Sequence, residues 1–477
     1  MKKEMIRIHN LNVEYSATIK LFHISLCLLE GECVGFLGLV NSGKNMLVDI
    51  ICGKHEIDRM GFYIDGKRNI SSSNLQKLVY KITDSNYLID TWTVAEYICL
   101  VENGFALGVL REKKLEKKAQ ELLEKLGLDV DVRQRMKDLT ELEKRMVDLA
   151  KAYSNHIKIL VVEDEFEGCS TKDIELFKQR MDLVIKDKMV VIINSHSDNV
   201  SFILSDKYVI LKKGFIVKKC NKSYIKDSQH LEKYLLEEIP VMGKNRNDNY
   251  KNESIQRKEP LYLIENMRWI DKKLMRFAFY KGEVVTILAL NVKEKEKIFE
   301  LLSGRLIDKY MKIVLEKERC NFNDIADFVK NKIVSISDMG GESELLLSMS
   351  VGNNLLIPSL DKIPSFEHLF AQNKVVRMLE REIIDENSNG SEMIQYKSVN
   401  DHIVILLERW YIYKPKVLVL FEPFVHCDLY GVSLVKSYIK KFIELETTVI
   451  IVKSREEYIE DISDRIINME YEKGSDM

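Results

Sequence analysis

The run from Cys33 to Gly53, CVGFLGLVNSGKNMLVDIICG, holds the residues best placed to do chemistry. Apolar Val34, Phe36 and Leu37 stop at Gly38. A glycine turn of Gly38, Asn41, Ser42, Gly43, Lys44 and Asn45 follows, and then Met46, Leu47, Ile50 and Ile51 recur at helical spacing. Strand, glycine loop and helix N-terminus in that order make an anion cradle. The glycines let backbone N–H groups turn inward, the helix end is positive, and Lys44 adds a full charge. One position departs from the pattern. Asn45 stands where a Ser or Thr hydroxyl would hold Mg²⁺ beside a bound phosphate. An ordinary glycine turn can share this spacing, so the rest of the chain carries the remaining weight.

Carboxylates and a histidine come next. The apolar run Ile157–Val162 stops at Glu163-Asp164-Glu165, the usual way to present acids at the C-terminal edge of a parallel sheet. Met189–Asn194 reads as another strand, ending at Ser195-His196, where the histidine is either structural or aimed at an anion. Asp84 closes the strand Leu78–Thr83. Tyr15 lies between the short strands Met5–Ile8 and Ile24–Leu29, where it could stack on a purine or simply pack.

Stepping outward, the elements that position these groups alternate. GFYIDGK (61–67) reads as a hairpin, TWTVAEYICL (91–100) opens a helical region, and 111–127 carries apolar residues at helical spacing up to Gly127. A helix over 138–153 precedes the acidic strand, and Tyr208–Leu211 ends the half. Strands alternating with helices at this spacing predict a parallel α/β sheet.

With 477 residues, 46% of them apolar, the chain can bury at least two full cores. A net charge of −2 gives no basic field for nucleic acid. The eight cysteines are scattered without a C-x-x-C pair, which reads as buried reduced thiols. The N-terminus MKKEMIRIHN has no apolar segment of signal-peptide length, and no apolar run is long enough to span a membrane. The expectation is a cytosolic protein whose membrane role, if any, comes through a partner.

The second half repeats the first. GECVGFLGL at Gly31 matches GEVVTILAL at Gly282, and Gly53 matches Gly304, both at an offset of 251. Thr93-Val94 matches Ser350-Val351 at 257. IKILVVEDEFEGCS matches PKVLVLFEPFVHCD at 258, as does Ser205-Asp206-Lys207 with Ser463-Asp464-Arg465. Between the halves, 242–259 is polar and aperiodic. The predicted organisation is a first domain over 1–241, a linker over 242–259 and a second domain over 260–477.

These residues resemble the tandem-cassette ATP-binding subunit of an ABC-type sugar importer of the ribose, galactose and xylose class. The markers are Gly31-Glu32, Thr93-Val94-Ala95-Glu96, the Ser205-Asp206 and Ser463-Asp464-Arg465 pairs, and Trp410 ahead of Lys414-Pro415-Lys416-Val417-Leu418. The resemblance implies two tandem P-loop NTPase cassettes, each with a mostly parallel core sheet, an antiparallel β subdomain and a helical subdomain. It implies ATP and Mg²⁺ as ligands, head-to-tail pairing of the two cassettes, and an integral permease as partner, with the chain peripheral on the inner face of the cell membrane. Gly38, Asn41, Ser42, Gly43, Lys44 and Asn45 would hold phosphate, Tyr15 the base, and Asp84 the γ-phosphate sensor position. Asn45 and Glu163 would be the metal ligands, Asp164 would position water, and His196 would touch the γ-phosphate.

Much of that machinery is altered. LTELE (139–143) stands where LSGGQ is the pattern, and Glu163-Asp164 inverts Asp-Glu. In the second half ALNVKEKE (289–296) replaces the phosphate loop, Phe421 replaces the metal Asp, SVND (398–401) replaces the signature, and Ser454 takes the histidine position, while Glu422, Pro423 and Asp428 remain. Phosphoryl transfer depends on positioning and charge neutralisation, so such losses predict weak nucleotide binding in the first cassette and little or no hydrolysis. A non-catalytic scaffold or sensor on a permease is the alternative. A soluble paired-cassette protein acting on ribosomes is a third reading, disfavoured by the short linker and the absence of basic charge.

Overall fold

The computed structural model describes residues 3–14, 20–55, 61–68, 71–83, 89, 91–99, 112–155, 157–185, 189–225, 227–236, 259–268, 274–340, 343–362, 394, 397–425 and 427–469. Tyr15, Asp84 and positions 242–258 of the expected linker lie outside them. The chain divides into two compact units, Met1–Glu238 and Ile239–Met477.

In the first unit β1 (Glu4–Glu14) and β2 (Lys20–Leu29) pair antiparallel, and β3 (Cys33–Leu37) leads into α1 (Lys44–Ile51). The hairpin β4 (Phe62–Ile64) and β5 (Lys67–Arg68) adds to β1, giving the sheet order β2-β1-β4-β5. Then come α2 (Ser72–Gln76), β6 (Val79–Thr83), α3 (Val94–Cys99), α4 (Glu112–Leu126) and α5 (Glu141–Ser154). The unit continues with β7 (Ile159–Glu163), α6 (Thr171–Ile185), β8 (Val190–Ile193), α7 (Asp198–Leu204), β9 (Lys207–Lys212), β10 (Phe215–Asn221) and α8 (Ser228–Leu235). The second sheet runs β10-β9-β3-β8-β7-β6, parallel except for the β9–β10 pair.

Strand alternation explains why these strands read as unbroken apolar runs. Val34, Phe36, Ile159, Val161, Val190 and Ile192 face α1 and the antiparallel sheet. Cys33, Leu160, Val162, Val191 and Ile193 face the helical side with Val147, Phe177 and Leu204. Both faces are covered, so both must be apolar.

The second unit repeats the plan. β11 (Tyr262–Arg268), β12 (Leu274–Phe279), β14 (Lys312–Leu315) and β15 (Glu318–Cys320) form the antiparallel sheet β12-β11-β14-β15, with β13 (Val284–Leu288) and α9 (Val292–Ser303) between its strands in the chain. With β16 (Ile333–Ile336), β17 (Val417–Phe421), β18 (Thr448–Lys453) and β19 (Arg465–Asn468), β13 makes the all-parallel order β16-β17-β18-β13-β19. Helices Val399–Tyr413 and Leu429–Glu444 cover one face. Each unit therefore carries strand, loop and helix at 31–53 and at 282–304, as the repeat requires.

Boundaries differ from the sequence reading at the N-terminus. The first strand extends to Glu14 rather than Ile8, and the second begins at Lys20 rather than Ile24. Register shifts between Ile8 and Leu11, and positive φ at Asn10 and His23, break the two-residue alternation that would have revealed them. No described helix is long and apolar enough to cross a membrane.

Candidate functional site

In the first unit the phosphate loop leaves β3 and enters α1 without any side chain capping the helix. Gly43 sits at φ 92°, where a side chain is strained, and a Cβ on Gly38 would lie 2.4 Å from Ser42 Oγ and 2.7 Å from Leu211 O. Asn41, also at positive φ, is exposed. Ser42 Oγ is buried without a hydrogen-bond partner. Lys44 is buried, and its Nζ donates to Ser195 O at 2.7 Å. An open helix end, an orphaned buried hydroxyl and a buried lysine at the first helical position are the parts of a phosphate nest. These residues fit a phosphate group.

The metal positions do not fit Mg²⁺. Asn45 Oδ1 accepts from Asn194 Nδ2 at 3.1 Å, and the same Nδ2 donates to Glu163 Oε1 at 2.8 Å. Glu163 Oε2 pairs with the Lys81 ammonium. Both oxygens of Glu163 and the amide oxygen of Asn45 are thus committed. A hard dication needs several oxygens in near-octahedral array, with no ammonium beside them.

Asp164 is committed as well. Arg145 donates to it from both sides, Nε to Oδ2 at 2.7 Å and Nη2 to Oδ1 at 2.9 Å, with side chains 2% and 0% exposed. The Phe166 N–H also donates to Oδ1. Arg145 sits one turn into α5, and α5 is itself pinned by Asp148, which accepts from Tyr80 and Tyr97. Glu165, next along, accepts from Ser195 Oγ at 2.7 Å, His196 N at 2.7 Å and Ser197 N at 3.0 Å. The backbone of the candidate histidine is therefore fixed by a carboxylate of the same acidic run.

The signature position is self-capped. Thr140 Oγ1 accepts from Glu143 N at 3.3 Å, while the Glu143 carboxylate accepts from Thr140 N at 2.7 Å, a capping box at the start of α5. Ser398 and Asp401 do the same for the helix Val399–Tyr413. In both units the helix end that would face phosphate holds the chain's own carboxylate.

In the second unit the helix starts earlier and takes in part of the segment that corresponds to the glycine turn. α9 begins at Val292, with Asn291 Oδ1 accepting from Glu294 N at 3.2 Å, so one of the backbone donors at this helix end is taken by a side-chain cap. The expectation that this segment merely loses its loop needs one correction. The offset of 251 that pairs Gly31 with Gly282 also pairs Lys44 with Lys295, and Lys295 is still at work. It is fully buried, with Nζ 2.6 Å from Glu422 Oε1 and 2.9 Å from Ser454 Oγ. Ser454 donates its N–H and its hydroxyl to the same Glu422 oxygen, at 2.8 and 2.7 Å. Lysine, carboxylate and switch position close on one another in the space a terminal phosphate would need. Burial works to raise the Glu422 carboxyl, but the Lys295 and Lys453 charges outweigh it and hold it below the usual carboxylate value. Burial pushes Lys453 down to about 8, against the pull of Glu422 and Glu457.

The sequence-predicted residues Lys44, Asn45, Glu163, Asp164 and His196 thus converge on one loop cluster at the ends of β3, β7 and β8. Sequence reasoning missed Arg145, Lys81, Asn194 and Lys295, which fill the cluster in each unit.

The ABC transporter family profile matches residues 21–166. The ribose import ATP-binding protein RbsA of Clostridium perfringens (strain SM101) is 22% identical over 475 residues, covering 98% of this chain and 93% of that protein. The xylose import ATP-binding protein XylG of Histophilus somni is 21% identical over 496 residues, covering 98% and 94%. The chain is a homologue of the ATP-binding proteins of ABC-type sugar import. The match to both proteins runs through both units of the chain. A nucleotide-free cassette of an ABC transporter, solved by crystallography, aligns with 49% of this chain at 18% identity and a TM-score of 0.42. The first unit has the glycine turn ahead of Lys44, and in the second the helix begins at Val292 behind an Asn291 cap.

Proposed function

We propose that this chain is the ATP-binding-type subunit of a carbohydrate-class ABC importer, with weak nucleotide binding in cassette one and little or no hydrolysis. It would dock peripherally on an integral permease at the inner face of the cell membrane, with its cassettes paired head to tail. The observation that carries the reading is the Arg145–Asp164 pair. The carboxylate at the water-positioning place is bound bidentately by a buried guanidinium, so it has no free oxygen turned toward a nucleophile. The nest around Lys44 supports binding, and the filled metal positions argue against turnover.

A second reading makes the chain a non-catalytic scaffold or sensor on the permease. One observation favours it: the Lys295–Glu422–Ser454 cluster gives cassette two a closed interior that needs no nucleotide.

Two measurements test the proposal. The chain is expected to co-purify in detergent with an integral permease. The contact should involve the segments after Asp84 and Asp338, and the Asp338 carboxylate accepts from Gly340 N and Ser343 N. Purified chain should bind ATP with a Kd on the order of 0.1–1 mM, and Lys44→Ala should weaken this about tenfold or more, the worth of one charge-assisted contact. ATP affinity unchanged by Lys44→Ala would remove cassette one from the account.

A further inference from the structure

The family's metal and this chain's residues disagree, and the disagreement has a consequence for what cassette one binds. We infer that cassette one takes its nucleoside triphosphate in the metal-free form, with Lys81 neutralising the Glu163 carboxylate that a divalent cation would otherwise cover. The inference rests on the proposed weak nucleotide binding at Lys44.

Lys81 lies on β6, the strand beside β7, two residues before Thr83, which is in register with Glu163. That placement carries its ammonium to Glu163 Oε2 and to within 3.9 Å of Asp49 Oδ1 on α1. Asp49 in turn pairs with Lys54 at 2.8 Å. Glu163 and Asp49 are therefore each matched by an ammonium. On the other side, the single amide of Asn194 bridges Asn45 and Glu163 and ties the two metal positions to each other.

The cost of adding Mg²⁺ follows. The ion would have to break the Asn194 bridge to reach either protein ligand, and then stand beside the ammonium already bound to Glu163. At equal separation a dication repels an ammonium twice as strongly as a second unit charge would. Without the ion, an unpaired Glu163 would repel the incoming phosphates. With Lys81 on it, Glu163 presents little net charge, and the nest of Lys44, the open α1 end and the buried Ser42 hydroxyl meets the anion alone. The same residues that spoil the metal site leave the phosphate site usable.

The test is ATP binding by titration calorimetry on the full chain, in excess Mg²⁺ and in excess EDTA. The expected result is equal affinity within about twofold in the two buffers, since no Mg²⁺ contact is formed. In Lys81→Met, the freed Glu163 should repel metal-free ATP and recruit the ion, so affinity in EDTA should fall about tenfold and Mg²⁺ should restore most of it. Wild-type affinity that rises tenfold or more with Mg²⁺ overturns this inference and leaves the weak-binding proposal standing. No ATP binding in either buffer overturns both. The wild-type comparison needs no variant to fold.

Discussion

Lys295→Ala is expected to lower the unfolding free energy of the chain by about 3–5 kcal/mol, the usual cost of breaking a buried ion pair from one side. Glu422 would be left 9% exposed, with only the Ser454 donors and the more distant Lys453 to hold its charge. Replacing both charges at once, as Lys295→Met with Glu422→Gln, should return most of the loss, because neutral groups of similar size do not need each other's charge. The pair also has a pH signature. The Glu422 carboxyl lies below its ordinary value of 4.5 in the fold, so the unfolded chain takes up its proton first as the medium is acidified. Its contribution is whole above about 4.5 and is lost as the pH falls through the folded value. Urea unfolding of wild type, single and double variants between pH 3 and 7 measures all of this. A single variant within about 1 kcal/mol of wild type would show that the cluster is not a closed pair.

Arg145→Ala should cost a similar amount, about 3–5 kcal/mol, for a different reason. Here the carboxylate is the more deeply buried partner, at 0% exposed, and it loses two of its three donors at once. Arg145→Lys should recover only part of the loss, because an ammonium cannot make the two parallel bonds of a guanidinium. Neither variant is expected to gain ATP turnover, since Asn45 and Glu163 stay committed to Asn194 and Lys81. Thermal or urea unfolding separates the variants, and an Arg145→Lys as stable as wild type would mean that charge alone, not fork geometry, matters there.

The fold was legible because both faces of each parallel sheet are covered. Strands such as Ile159–Glu163 and Val417–Phe421 must then be apolar throughout, and two copies of that pattern at nearly constant offset are hard to mistake. The strand, glycine turn and helix around Lys44 were legible for a local reason: Gly38, Gly43 and Lys44 lie within a few residues of one another. What fills the site was not legible. Arg145 on a charged helix and Lys81 on a strand look like solvated residues until the fold brings them to Asp164 and Glu163, 19 and 82 positions away. Lys295 was within reach, since the repeat offset places it on Lys44. So was the helical start of α9, because Asn291 with Glu294 three residues on is an N-cap signal. Reading the missing glycines as pure loss hid the replacement.

The account stands or falls on whether these internal ion pairs have replaced catalysis. The direct measurement is phosphate release from Mg-ATP by the purified chain beside Lys44→Ala, alone and with the proposed permease partner. The account predicts that the two release phosphate at the same background rate. Robust turnover that disappears in Lys44→Ala would contradict it, because it would require Asp164 and Glu163 to leave Arg145 and Lys81 and act on a bound nucleotide.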